Sequence, residues 1–116
     1  MPGPVIGEAM SDGRIRRIDR RIERIKEALR QIGPMRPGSL TRQFRDPEER
    51  TGAYWQISYT RRMKSRTAYV RREWVAETRR QIATYKRFKR LVDEWVTLSI
   101  ERAQHIMRSK RKKPSR

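Results

Sequence analysis

The sequence predicts an α+β fold, mostly helical: a helix, a β-hairpin and a long helix. The two helices are expected to form an antiparallel pair, itself dimerised. Three observations carry this expectation. Ile15, Ile18, Ile22, Ile25, Leu29 and Ile32 are spaced 3-4-3-4-3, a heptad seam. Ala53–Arg72 alternates in two runs, Trp55, Ile57 and Tyr59 in the first and Ala68 and Val70 in the second. Then Trp74, Val75, Ile82, Tyr85, Phe88, Leu91, Val92, Trp95, Val96, Leu98, Ile106 and Met107 mark a second helical pattern. Hydrophobic residues make up 34% of the 116 and charged residues 38%, lean for a compact multilayer core, so elongated helices with apolar stripes are expected.

In chain order, residues 1–10 hold two Pro and two Gly and read as a disordered arm. Ser11 or Asp12 caps the first helix, about 13–32. Its seam is short for an autonomous coiled coil, so pairing with the later helix is preferred to an intermolecular coil. Its outer surface is rich in arginine; Arg17, Arg20, Arg21 and Arg24 cluster at i, i+3, i+4 and i+7. Such a run usually marks a solvated, salt-bridged face, but its excess over Asp19, Glu23 and Glu27 points towards phosphate. Gly33-Pro34 ends the helix, and residues 33–40 form a constrained turn, with Ser39 or Thr41 capping a short turn. Residues 45–52, turn chemistry around Asp46-Pro47, read as an exposed acidic loop.

The hairpin of residues 53–72 is the only stretch that reads as strand. Pairing its apolar sets on one face puts Trp55 beside Val70 and Ile57 beside Ala68. The tip is then residues 61–66, with Arg61, Arg62, Lys64 and Arg66. Tyr54 and Tyr69 point to the other face. A second helix, about 73–109, follows; its wide apolar section near Phe88–Leu98 can meet the first helix and a symmetry mate together. Tyr85 and Trp95 sit at core spacing rather than as base-stacking groups. Residues 11–107 are thus one domain, and 108–116 a basic disordered tail with Lys110, Arg111, Lys112 and Lys113.

Lys and Arg number 31 against 13 Asp and Glu, a formal charge of +18. A polyanion relieves this self-repulsion, and nucleic acid is the commonest one. An acidic protein partner or a place inside a large assembly would serve the same end. Without cysteine there are no disulfides or thiolate metal sites, and His105 is the only histidine, so no metal or cofactor is expected. The sequence lacks catalytic constellations, Gly-rich phosphate loops and clustered carboxylates, which argues against an enzyme. With neither a membrane-length apolar run nor a signal peptide at its start, a cytoplasmic protein, nucleoid-associated if prokaryotic, is expected.

Gly33–Leu40 (GPMRPGSL), Ala53–Thr60 (AYWQISYT), Tyr69-Val70 and Gln81–Lys89 (QIATYKRFK) together resemble a family of small prokaryotic domains of unassigned function, often described as transposase-related. The resemblance spans about 15–103. It implies an aromatic hairpin between helices and an association with mobile elements. Family members commonly have a Cys-rich knuckle before the hairpin, implying zinc; residues 45–52 have no Cys, so that site is not carried over. The tip often has Gly where this chain has Met63, and Met at a positive φ would cost on the order of 1 kcal/mol.

The expected function is therefore non-catalytic nucleic-acid binding, duplex DNA ahead of RNA, mainly through phosphate contacts. The binding residues are Arg61, Arg62, Lys64, Arg66, Arg71 and Arg72, with the first helix's arginine cluster and the basic tail; Tyr54 and Tyr69 are candidate stacking groups. The alternatives are RNA binding, or a helical oligomerisation subunit of a larger nucleoprotein assembly. A homodimer is expected in either case.

Overall fold

A computed structural model describes residues 6–112, with side chains from 13 to 110. The elements are helix α1 (Ile6–Arg30), strands β1 (Ser39–Asp46), β2 (Thr51–Arg61) and β3 (Lys64–Val70), a single 3₁₀ turn (Arg72–Trp74), and helix α2 (Val75–Lys112). The fold is α+β and mostly helical, as the sequence predicts. It divides into two compact units. One combines α1 with the chain from Lys89 onwards; the other runs from Ile32 to Phe88.

In the helical unit, α1 and α2 run antiparallel. Arg14 pairs with Glu101 and Arg21 with Glu94, so residues rising in one helix meet residues falling in the other. Asp19 with Arg102 and Lys26 over Trp95 repeat the pattern. Ile18, Ile22 and Ile25 are buried, Ile25 completely, and Ile15 and Leu29 are half-buried. The isoleucine seam therefore faces α2, and burying each such side chain favours the pair by roughly 1.5–3 kcal/mol. Ile32, the seam's last residue, lies beyond the helix.

The sheet unit is an antiparallel meander in the order β1-β2-β3. The β2–β3 register is the one that the alternation predicts, Trp55 opposite Val70 and Ile57 opposite Ala68. On that face, Ile57, Val70 and Ile82 form the core, with Leu40, Trp55 and Val75 against them. The segment leading into β1 is fixed on both sides. The Arg36 N–H donates to the Gln81 carbonyl at 3.2 Å. Gly38, at φ +141°, lies so close to Ile57 that a Cβ would come within 2.7 Å of its Cγ1.

Five expectations need correction. The hairpin is not the only β structure, because residues 39–46 form a third strand, pairing Leu40 with Ile57 and Phe44 with Ala53. Ser39 and Thr41 are strand residues, not turn caps, and the loop expected over 45–52 shrinks to a turn at 47–50 between two strands. That turn is held by the Glu49 N–H donating to Asp46 Oδ1 at 3.1 Å and by Arg50 at φ 55°. The six-residue tip is a two-residue turn, because Arg61 pairs with Lys64 and Tyr59 with Arg66. Helix limits also differ: α1 begins at Ile6, inside the arm expected over 1–10, and α2 reaches Lys112, through the first half of the expected tail. Residues 1–5 and 113–116, Lys113 among them, lie outside the described residues.

Candidate nucleic-acid interface

The β2–β3 turn consists of Arg62 and Met63, at φ 52° and 65°. Two consecutive positive φ values are the signature of a type I′ hairpin turn, whose backbone matches the strand twist and which favours Asn-Gly. Here Arg and Met occupy the left-handed region, at a cost of roughly 1–2 kcal/mol each. Met63 is 97% exposed. The turn is strained, and its side chains project into solvent.

Arg61 and Lys64 stand directly opposite each other, and Arg66 stands opposite Tyr59. Alternation places these three cations on the same sheet face as Ile57, towards the tip, with Arg62 in the turn. Like charges directly across a strand pair repel. None of Arg61, Arg62, Lys64 and Arg66 has an ion pair among the described residues, and all are exposed. Four cations are thus gathered without a counter-charge.

Other arginines of this unit lie over rings. Arg79 sits 5.0 Å from the Trp55 ring centre, Arg36 lies 5.7 Å from that of Tyr59, and Arg42 and Arg50 are each 5.3 Å from Phe44. These contacts cover the half-buried aromatics with cationic side chains. Arg42 and Arg50 are cationic surface residues that sequence reasoning missed, because β1 itself was missed.

Arg71 and Arg72 follow the other end of β3 and do not join the tip; the strand between spans ~20 Å. Arg71 lines a pocket of about 330 Å³ with Arg36, Tyr69, Trp74 and Glu77. On the opposite sheet face lie Thr41, Gln43, Tyr54, Gln56, Ser58, Thr67 and Tyr69, by alternation and register. The one charge on that surface is Arg45, at its β1–β2 end beside Gly52. Tyr69 is 67% exposed, and Tyr54 is half-buried.

In the helical unit the predicted arginine cluster divides. Arg17, Arg20 and Arg24 are exposed. Arg21 instead turns to α2, where its Nε and Nη2 donate to both oxygens of Glu94 at 2.6 and 2.7 Å. This hydrogen bonding holds the Glu94 carboxyl below its ordinary value, and Arg102 does the same for Asp19. Lys110 is exposed in the last turns of α2; Arg111 and Lys112 belong to the same helix.

Comparison with protein-family models, with curated proteins and with solved structures gives no match to this chain. Among the described residues there is no group of three or more His, Cys, Asp or Glu placed to hold a metal ion, and no helix is long and apolar enough to cross a membrane.

Proposed function

We propose that this protein is a non-catalytic nucleic-acid-binding protein whose principal contact is the β2–β3 tip, with duplex DNA as the preferred ligand. The observation that carries the reading is the set of four exposed cations around a two-residue turn, none with an ion pair among the described residues. A two-stranded ribbon fits the major groove, and arginines at a hairpin tip reach phosphates or a narrow minor groove. Arg17, Arg20 and Arg24, with the basic end of α2 at Arg108 and Lys110, add phosphate contacts from the helical unit. With no base-reading constellation in the tip, binding is chiefly to the backbone and tolerant of sequence. An association with a mobile element is part of the proposal and rests on the motif resemblance alone.

Fluorescence anisotropy with a labelled duplex of arbitrary sequence tests this. Affinity should fall steeply between about 50 and 200 mM salt, as counterion release requires. An affinity that is flat over that range overturns the reading. A second ligand is favoured by one observation, the polar face carrying Tyr54 and Tyr69 with Arg45 at its edge, on which unpaired bases of RNA or single-stranded DNA could stack. Competition by single strands that Tyr54→Ala/Tyr69→Ala abolishes, while duplex binding persists, supports that mode.

A further inference from the structure

Within the helical unit, α2 carries a second apolar stripe beside the one that meets α1. Val96 is 52% exposed, Ile100 55% and Met107 59%. Val92, Trp95, Val96, Ser99 and Ile100 line a shallow apolar groove of about 320 Å³. Ala103 is exposed on the same side by helical spacing. The ammonium of Lys26, 5.5 Å from the Trp95 ring centre, and the Asp19–Arg102 pair form a charged border towards α1.

The stripe is self-complementary. Val92, Val96, Ser99, Ile100, Ala103 and Met107 are separated by four, three, one, three and four residues, the same read in either direction. A two-fold axis between Ser99 and Ile100 sets Val92 against Met107, Val96 against Ala103 and Ser99 against Ile100. Each pair joins a larger side chain to a smaller one, which lets two helices approach closely. Charge at Asp93 agrees with this direction, although the same axis also sets Lys89 opposite Lys110. Among the acidic residues of the helical unit whose side chains are described, only Asp93 has no ion pair. It adjoins Val92, and the antiparallel two-fold brings it to the end of the second helix carrying Met107 and Arg108. A parallel arrangement would set Asp93 against Asp93 and Arg108 against Arg108.

We propose that this stripe docks a second copy of the chain, α2 against α2 in antiparallel orientation. It is about 22 Å long at 1.5 Å per residue and one helix wide. That is well short of the roughly 800 Å² per partner of a standard interface. The dimer is therefore reversible and concentration-dependent.

The test is sedimentation equilibrium on nuclease-treated, full-length protein. The mass should rise with concentration to twice that of the monomer. Val96→Glu/Ile100→Glu should remain monomeric with unchanged helical circular dichroism, and Thr97→Glu, at an exposed position outside the stripe, should dimerise normally. Since the chain has no cysteine, single replacements report orientation without changing the stripe's charge. Ser99→Cys should form disulfide-linked dimers under mild oxidation, whereas Val92→Cys, whose two copies lie at opposite ends, should not. A monomer at several hundred micromolar, a dimer undisturbed by the two glutamates, or cross-linking of Val92→Cys as readily as Ser99→Cys would overturn the proposal.

Discussion

The helical unit and the sheet unit carry the same net charge, +9 each, but arrange it differently. The first holds seventeen Lys and Arg against eight Asp and Glu, the second fourteen against five. Between the helices, carboxylates bind arginines: Glu94 with Arg21, Asp19 with Arg102 and Glu101 with Arg14. In the sheet unit the one ion pair among described residues is Glu77 with Arg80 in the early turns of α2. The tip is left uncompensated. Net charge alone therefore does not locate a binding surface. What differs is whether each cation already has an anion, and that is set by where the chain brings its few acids.

The sharpest way to break this contrast is to remove cations from each side. Changing Arg61, Arg62, Lys64 and Arg66 together to Gln should weaken duplex binding by roughly 100-fold or more near 0.1 M salt. Changing Arg17, Arg20 and Arg24 to Gln should cost only several-fold. Equal losses in an anisotropy titration would mean that the tip has no privilege.

Core truncations come next. Ile57→Ala and Ile25→Ala each remove a fully buried side chain and should each cost about 2–5 kcal/mol. Amide exchange should show the damage on different sides. Ile57→Ala should loosen the strands and reduce binding; Ile25→Ala should loosen the helical pair. Gly38→Ala belongs with Ile57→Ala, since its Cβ would strike Ile57 from a strained backbone.

Smaller is the effect at the turn. Met63→Gly should relieve the positive φ and raise stability by about 1 kcal/mol, while leaving affinity within twofold because the tip's four cations remain. Chemical denaturation of the two proteins checks this. A loss of stability would show that the Met63 side chain contributes more than its backbone costs.

The weakest effect is the pH dependence contributed by the helical pair. Hydrogen bonds from Arg21 and Arg102 lower the folded-state pKa values of Glu94 and Asp19 below 4.5 and 3.8. A carboxyl held below its unfolded value stabilises the fold above that value, and the contribution disappears as pH falls through the folded one. Thermal unfolding of Glu94→Gln/Asp19→Asn should therefore lose less stability than the parent between about pH 5 and pH 2. These pairs are half-exposed and solvent-screened, so the difference should be small and should shrink in high salt.

The sequence made the antiparallel helix pair, the β2–β3 register and the cationic tip legible, because each depends on local periodicity. The isoleucine seam repeats every three or four residues, and Trp55, Ile57 and Val70 alternate without interruption. Strand β1 was hidden because Arg42 breaks its apolar face between Leu40 and Phe44. In the structure, Arg42 lies over the Phe44 ring, so a charged residue occupies an aromatic-bearing face. The role of Arg21 was equally hidden, since its partner Glu94 is seventy-three residues away and helical spacing groups it with Arg17, Arg20 and Arg24. The short turn could not be read because Arg62-Met63 lacks the Asn-Gly chemistry that normally marks positive φ. Strained turns are the places where local preference is a poor guide.

The most direct test of the tip's role is the slope of log affinity against log salt for a duplex, compared between the parent and the four-residue tip variant. If Arg61, Arg62, Lys64 and Arg66 each neutralise a phosphate, the slope should become shallower by about 3 to 4. An unchanged slope, with affinity lost or kept, would contradict the assignment of the phosphate contacts to the β2–β3 tip.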